Sequence, residues 1–320
     1  MRNAVLSVAP MMDWTDRHCR YLHRLMSHHA LLYTEMVTAP ALVRGGAVHL
    51  LAFNPEEHPV AVQLGGSDPA ELKEATKLCV EHGYDEVNLN VGCPSDRVQS
   101  GAFGAVLMKA SDLVADCVHA MQEAAGGVPV TVKCRIGVDD QEPTEVLPVF
   151  VETMRAAGIT RMQIHARKAW LDGLSPKQNR DIPPLDYPLV HAMKKAYPDL
   201  HLSINGGIQS LDTVEEELTH MDGVMVGRAA YHQPYDILGA ADARIFGDTR
   251  VALTRHEVVL AMEDYIGRHI AEGGKLAQIT KHMLGLFAGQ PGARRWKRVL
   301  SEGAHKDGAG FELVKEALPE

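Results

Sequence analysis

Short apolar runs recur eight times along the first three quarters of the chain, and helix signals lie between several of them. The runs predict strands near residues 5–10, 31–37, 59–64, 85–91, 129–135, 160–165, 200–205 and 223–227. Strands that alternate with helices in this way are typical of an α/β protein with a parallel sheet. Eight such units predict a (β/α)8 TIM barrel, and the alternative, a doubly wound sheet, does not require this regularity.

The helix signals are proline or a capping side chain at the start of a segment and glycine at its end. The helices that they predict run from Ser67 to Gly83, from Ser111 to Gly126 and from near Pro143 to Gly158. The longest irregular stretch, 166–188, follows the sixth strand, and loops of that length are usually functional or disordered.

The last part of the chain has a different pattern. From Thr249 onward no strand pattern occurs, and apolar residues recur at helical spacing, for example Val258, Met262, Tyr265 and Ile266. The sequence therefore predicts a barrel over residues 1–243 and a small helical domain over residues 249–320.

Composition narrows the class of protein. Hydrophobic residues make up 46% of the chain, which is ordinary for a globular protein, and no apolar run reaches the length of a membrane helix. The first residues enter a strand pattern at once and leave no room for a signal peptide. Five cysteines without a Cys-x-x-Cys pair favour free thiols in a reducing compartment. We therefore expect a cytoplasmic protein, with no metal site and no obligate protein partner.

Charge is distributed unevenly. The net charge is −9, yet the segment from Thr249 to the end has eleven Lys/Arg against nine Asp/Glu, a balance of +2. The first 248 residues therefore carry −11. An acidic body with a mildly basic tail requires that any contact with a nucleic acid be local.

Polar residues collect where the predicted strands end, which is where barrel enzymes place their active sites. Lys133, His165 and Asn205 end three of the strands, and glycines follow strands seven and eight. One such residue alone is more often a loop hydrogen-bonding group than a ligand contact. Together they surround one mouth, where glycine N–H groups and Arg228 suit a phosphate. Lys133 suits a cofactor that becomes negative on reduction, as flavins do.

These strand ends resemble a known family. The segments that carry the resemblance are Ala9–Met11, Gln63–Gly65, Asn88–Pro94, Lys133–Gly137, His165–Arg167 and Asn205–Ile208. They are similar to the tRNA-dihydrouridine synthases, over essentially the whole chain. The first turn, Met12–Arg17, departs from the commoner family form. With 166–171 and 183–185 it resembles the A-type bacterial subfamily, which is associated with uridines 20 and 20a of the D-loop.

The resemblance implies FMN in the barrel mouth, NADPH as reductant and reduction of the uracil 5,6 double bond in tRNA. It implies FMN contacts from Pro10, Met11, Met12, Gln63, Lys133, His165, Asn205, Gly206, Gly207, Gly227 and Arg228. It also implies that Cys93 is the proton donor.

The position of Cys93 agrees with that role. It follows a strand end and stands between Gly92 and Pro94 at a turn. A thiol with an ordinary pKa near 8.5 is protonated at pH 7 and can still release its proton. The alternative is a small buried cysteine, the commonest state of a free thiol. We expect that state for Cys79, Cys117 and Cys134, and Cys134 should face the helices because it alternates with Lys133 and Arg135.

Contacts with tRNA are predicted in two regions. Arg294, Arg295 and Arg298 belong to the densest basic run, which on composition alone is more often a solvated face than a binding site; the family resemblance reverses that preference. The candidates beside the mouth are Asn90, Arg97, Lys177 and Arg180. Two other functions remain open: a flavin barrel that reduces a small molecule, and an RNA-binding protein on an inactive barrel.

Overall fold

The chain forms a closed parallel barrel surrounded by helices. In this computed structural model, residues 5–95 and 103–319 are described, and within them eight strands pair in chain order, with β8 returning to β1. The strands are β1 (Leu6–Val8), β2 (Leu31–Thr38), β3 (Val60–Gly65), β4 (Glu86–Val91), β5 (Val130–Arg135), β6 (Arg161–His165), β7 (His201–Asn205) and β8 (Gly223–Val226). The predicted TIM barrel is confirmed.

Helices connect the strands and form the tail. Around the barrel lie α1 (Arg17–Met26), α2 (Ala39–Val43), α3 (Pro69–Glu81), α4 (Ser111–Ala124), α5 (Pro143–Ala156), α6 (Tyr187–Ala196), α7 (Leu211–Glu217), α8 (Arg228–His232), α9 (Pro234–Leu238) and α10 (Ala241–Phe246). The tail contains α11 (Arg255–Ala261), α12 (Glu263–Ala271), α13 (Leu276–Met283), α14 (Ala293–Gly303) and α15 (Phe311–Ala317). Short 3-10 helices span Val48–Leu51, Pro55–Glu57, Gly104–Lys109 and Gln178–Arg180. The tail is helical as predicted, whereas the domain limits at 243 and 249 stay a prediction.

The barrel interior contains a connected layer of polar side chains. Asn88 lies at its centre, where its oxygen accepts from Gln63 Nε2 at 2.8 Å and its amide donates to Thr131 Oγ1 at 2.8 Å and to Gln163 Oε1 at 2.9 Å. Below this layer Thr131 Oγ1 donates to Glu86 at 2.5 Å. Because unpaired buried polar groups are destabilising, these mutual hydrogen bonds let the barrel keep polar side chains in its centre and carry them up to the mouth.

The opposite face of each strand packs against the helices. Val87, Leu89, Val132 and Cys134 alternate with the interior polar residues and are fully buried in the apolar layer between sheet and helices. The prediction that Cys134 faces the helices is therefore confirmed.

The tail contacts the barrel at the start of α1. Asp16 caps that helix, accepting from the backbone N–H groups of His18 and Cys19, and its other oxygen lies 2.9 Å from His282 Nε2 of α13. His18 Nδ1 is 2.6 Å from the hydroxyl of Tyr265, a residue of α12. One carboxylate thus joins the helix that follows the first barrel turn to the tail. Among the described residues, no helix is long and apolar enough to cross a membrane.

Candidate active site

The turn after β4 holds a thiol in a fixed position. Asn90 Oδ1 accepts from the backbone N–H groups of Gly92 at 3.0 Å and Cys93 at 2.9 Å, and Asn90 Nδ2 donates to Gln63 Oε1 at 2.7 Å. Cys93 is half-buried, with Sγ 3.4 Å from the Ser95 hydroxyl. A side chain that caps its own turn fixes the backbone, so the sulfur is both positioned and accessible. Asn90 was predicted to contact substrate; that contact stays a prediction, and the amide's observed role is to hold this turn.

The remaining cysteines are buried, which makes their thiols unreactive. Cys79, Cys117 and Cys134 lie inside the apolar layer, as predicted, and burial raises the pKa of each to about 12. Thiols that remain protonated in an apolar environment are poor nucleophiles and poor acids. Cys93 is the free cysteine that is not fully buried, which singles it out for chemistry.

Arg135 anchors the thiol turn from the side of β5, a role that we did not predict from the sequence. This buried guanidinium donates from Nε to the carbonyl oxygen of Gly92 at 3.1 Å, and from Nη1 to those of Lys168 at 3.1 Å and Asn179 at 2.8 Å. It therefore ties the residue before Cys93 to the long loop after β6. The sequence did offer a signal: Arg135 lies two residues after Lys133 on the same strand, so both side chains face the barrel interior.

We expect Arg135→Lys to lower the free energy of unfolding by roughly 1–3 kcal/mol, because an ammonium cannot hold three carbonyls in this geometry and a buried acceptor is left unpaired. Denaturant unfolding measures the effect. Arg155→Lys, on the outer face of α5, is the matched control. Wild-type stability in Arg135→Lys would contradict the anchoring role.

Lys133 is a cation in the mouth for which residues 5–95 and 103–319 supply no counterion. It is half-buried, lies opposite Asn90 in the β4–β5 register, and makes no hydrogen bond or ion pair with the described residues. Burial, reinforced by the positive charge of Arg135, lowers the pKa of Lys133 to about 8. A partly buried charge without a counterion is unfavourable unless a bound ligand supplies the opposite charge.

His165 presents a second incomplete group, beside β7. Its ring is buried, and Nδ1 has no hydrogen-bond partner among the described residues. Burial, followed by the charges of Arg135 and Lys133, holds the pKa of His165 well below its ordinary value, so the imidazole is neutral. Asn205, its neighbour in register, donates to the carbonyl oxygen of Met225 at 2.7 Å. A buried Nδ1 without a partner is the kind of atom that a bound ligand satisfies.

Two glycines complete the wall after β7. Gly206 and Gly207 have φ values of +111° and +75°, and a Cβ on Gly207 would lie 2.5 Å from Leu185 Cδ1. A Cβ on Gly206 would lie 3.2 Å from the His165 ring. Side chains are therefore excluded here for both conformational and steric reasons, which leaves the backbone free to approach a ligand. At Gly227, after β8, a Cβ would meet nothing within 4 Å, so open space faces this turn.

Arg228 connects β8 to the long loop after β6. It pairs with Asp181 at 2.6 Å and donates to the carbonyl oxygen of Arg180 at 3.4 Å. Arg167, also on that loop, donates to the carbonyl oxygen of Pro183. The rim thus carries Arg167, Arg180 and Arg228, of which Arg228 pairs with the carboxylate of Asp181, and cations of this kind suit an anion such as a phosphate.

The predicted cofactor residues therefore meet at one rim. Pro10, Met11 and Met12 lie on the β1 turn, where Met11 N–H donates to Thr15 Oγ1 at 3.0 Å and Met12 is exposed. The Lys133 ammonium and His165 Nδ1, both without a partner in the described part of the chain, fit a polar-ringed cofactor with a phosphate, as do the glycine turns.

The predicted tRNA residues are spread more widely. Lys177 and Arg180 are exposed on the loop after β6, and Arg97 lies outside the described residues. Arg294, Arg295 and Arg298 are exposed on α14, which is oriented by the fully buried Trp296; the indole N–H of Trp296 donates to the carbonyl oxygen of Met283 at 2.9 Å.

Positive charge links the tail to the mouth. Burial, followed by the charges of Arg228 and Lys297, lowers the pKa of His232 at the end of α8. His232 is therefore influenced by the charge of a rim cation, Arg228, and by that of an α14 cation, Lys297.

Comparison with solved structures shows the fold. An old yellow enzyme homologue from Zymomonas mobilis aligns with a TM-score of 0.53 at 12% identity, over 78% of this chain and 89% of that chain. Morphinone reductase aligns with a TM-score of 0.54 at 11% identity, over 79% and 90% of the two chains. At these identities the likeness concerns the barrel architecture alone.

Comparison with sequences shows the family. Proteins named tRNA-dihydrouridine(20/20a) synthase are 58% identical in Shewanella oneidensis, over 97% of this chain and 92% of that protein, and 58% identical in Escherichia coli K12, over 98% and 90%. The Vibrio cholerae protein of the same name is 55% identical over 98% and 95%. The family model described as Dihydrouridine synthase (Dus) matches residues 7–320. The chain belongs to the dihydrouridine synthase family.

Proposed function

We propose that the protein reduces the 5,6 double bond of D-loop uridines in tRNA, at positions 20 and 20a, with FMN bound in the barrel mouth and NADPH as reductant. The observation that carries the proposal is the half-buried Cys93 thiol, fixed by Asn90 near the Lys133 ammonium, which has no partner among the described residues. The names of the relatives support the substrate and the positions. A cytoplasmic location belongs to the same proposal.

Cys93 supplies the proton in this scheme. When bound, FMN supplies a hydride for one carbon of the uracil double bond. The Cys93 thiol donates its proton to the other carbon, so that two hydrogens are added across the bond, and solvent later reprotonates the sulfur. The thiolate that remains faces the positive charges of Lys133 and Arg135, both of which interact electrostatically with Cys93.

The other rim residues hold the cofactor in this scheme. Lys133 would balance the negative charge that a flavin gains on reduction, and neutral His165 would offer Nδ1 as a hydrogen-bonding group. The backbone of Gly206 and Gly207, with Gly227 and Arg228, would hold the phosphate, for which Asp181 would share the Arg228 guanidinium. No GxGxxG fingerprint follows a strand, so NADPH visits the flavin transiently.

Binding of tRNA requires cations because the rest of the chain is acidic. A base in a folded RNA must leave its stack to reach the thiol, and the phosphates around it must be held. Arg294 and Arg298 are exposed on α14 and make no hydrogen bond or ion pair with the described residues, whereas Arg295 Nη1 lies 3.4 Å from the carbonyl oxygen of Leu318. Arg294 and Arg298, like Lys297, are therefore cations of α14 that the described residues leave without a partner.

We expect Arg294→Ala with Arg298→Ala to weaken tRNA binding and to flatten the slope of log affinity against log salt by about 1.5, since each lost phosphate contact contributes roughly 0.7–0.9. Binding curves at several salt concentrations measure this slope. FMN content and NADPH oxidation should be unchanged. Lys77→Ala with Lys195→Ala, two exposed lysines on outer barrel helices, controls for net charge. An unchanged slope in the α14 variant would mean that RNA is bound elsewhere.

The activity itself is tested with the purified chain, FMN, NADPH and unmodified tRNA, followed by mass-spectrometric mapping of dihydrouridine. We expect the modification at D-loop positions 20 and 20a and none with free uridine. Equal turnover of free uridine would favour a small-molecule reductase instead. A protein that cannot be loaded with FMN would favour an RNA-binding protein on an inactive barrel.

A further inference from the structure

The backbone of the loop after β6 is held rigidly at Trp170. Its N–H donates to Asn179 Oδ1 at 2.7 Å, and its carbonyl oxygen accepts from Asn179 Nδ2 at 2.8 Å. Asn179 is fully buried, and its own carbonyl oxygen accepts from Arg135. The preceding residue, Ala169, exchanges backbone hydrogen bonds with the turn after β5, through Gly137 and Asp139. Such a network leaves the chain little freedom at this position.

The Trp170 side chain is nevertheless exposed, at 37%. The other two tryptophans are less exposed: Trp296 is fully buried, and Trp14 is half-buried and stacks on Tyr231 with ring centroids 4.6 Å apart. The ammonium of Lys168 lies 4.9 Å from the centre of the Trp170 ring. An indole on a fixed backbone, with a cation close to its ring, can offer a ligand both an aromatic face and a positive charge. Little conformational entropy is lost on binding, because the backbone is already ordered.

Trp170 is also close to the thiol turn. One guanidinium, that of Arg135, contacts the carbonyl oxygens of both Gly92 and Lys168. Gly92 precedes Cys93, and Trp170 follows Lys168 by two residues, a reach of at most roughly 7 Å of chain. The exposed indole is thus close enough to Cys93 to contact the nucleotide next to a base that is bound at this thiol.

We propose that Trp170 and Lys168 form a stacking subsite for the nucleobase adjacent to the reacting uridine, with the ammonium facing the phosphate between the two nucleotides. This inference rests on the proposed function. Extruding a uridine removes a stacking partner from its neighbour, and an exposed aromatic ring replaces that partner. Stacking depends on the π-face, so the subsite accepts any base.

The first test compares tRNA affinities of the FMN-loaded full chain and its variants. Loss of one base–aromatic contact lowers affinity roughly 5- to 150-fold, so we expect about tenfold or more for Trp170→Ala. Trp170→Leu should lose as much, because it retains apolar area without a π-face, and Trp170→Phe should stay within about threefold of wild type. Val149→Ala, 61% exposed on the outer helix α5, is the matched control and should bind normally.

The second test removes the base from the RNA. A tRNA with an abasic nucleotide directly 5′ or 3′ of the target uridine should bind the wild-type chain about tenfold more weakly at one of the two positions. The same tRNA should show no further loss with Trp170→Ala. Independent losses from the two changes, or wild-type affinity in Trp170→Ala, would overturn the subsite.

Dihydrouridine formation by the wild-type chain on intact tRNA separates the two proposals. If the wild-type chain forms dihydrouridine while Trp170→Ala binds like wild type, only the subsite is wrong. If the wild-type chain forms none, the proposed function and the subsite fail together.

Discussion

Replacing Cys93 by alanine should leave the flavin bound and reducible by NADPH, but should slow its reoxidation by tRNA roughly 10²–10⁴-fold. That range is the usual contribution of a positioned general acid. The flavin half-reaction should be spared because the β4 turn is held by the Asn90 side chain and the Arg135 guanidinium, which contact backbone atoms and not the sulfur. Stopped-flow absorbance of the flavin separates the two half-reactions.

Two further variants show whether the sulfur or the turn matters. Cys93→Ser keeps a hydrogen-bonding group at nearly the same place, but a hydroxyl is a far weaker acid than a thiol, so its reoxidation should be almost as slow as in Cys93→Ala. Ser95→Ala removes the hydroxyl 3.4 Å from Sγ and keeps the thiol, so its effect should be small. Wild-type reoxidation in Cys93→Ala would remove Cys93 from the mechanism.

Replacing Lys133 by methionine should weaken FMN binding and slow flavin reduction, since a charge-assisted contact contributes roughly 1.5–3 kcal/mol. The same change should stabilise the chain without flavin by roughly 3 kcal/mol at pH 7. Burial lowers the pKa of Lys133 from 10.5 to about 8, and a pKa lowered in this way means that the protonated side chain destabilises the folded state. Fluorescence titration with FMN and denaturant unfolding measure the two effects.

The pH dependence follows from the direction of that shift. Below pH 8 the lysine is protonated in both the folded and the unfolded chain, so the whole destabilisation is present. Between pH 8 and 10.5 the unfolded chain holds more protons, and wild-type stability gains on the variant as pH rises. FMN affinity should fall above about pH 8 in wild type and stay flat in Lys133→Met. Lys133→Arg keeps the charge and is the control; equal flavin affinity in all three would place Lys133 away from the cofactor.

The barrel and most of the rim could be predicted because they depend on periodicity and strand ends. The strands near 85–91 and 129–135 differ from β4 and β5 by one residue at the start. Alternation along a strand then settles which face each residue lies on, as it did for Cys134. Lys133 and His165 could therefore be placed at the mouth without knowledge of any contact.

Hydrogen bonds across the mouth could not be predicted, because they depend on how distant loops meet. Asn90 was predicted as a substrate contact, whereas its amide holds the thiol turn and Gln63. Arg135 holds two carbonyls of the loop after β6, and Arg228 pairs with Asp181 of the same loop. The Asn90 bonds within its own turn span two and three residues, but its bond to Gln63 spans 27 residues and those of Arg135 and Arg228 span more, so no local pattern encodes these distant partners.

The contact between Asp16 of the barrel and the helical tail limits how the sequences of such proteins can change in evolution. The carboxylate that caps α1 also holds His282, and the rings of Tyr21 and Tyr265 stack with centroids 4.0 Å apart across the same contact. Replacing the tail by a foreign C-terminal segment would leave the Asp16 carboxylate without His282 and the Tyr21 ring without its stacking partner. Exchange of RNA-recognition segments between such barrels therefore requires compensating changes in α1, directly behind the mouth turn. The two parts are constrained to evolve as a matched pair.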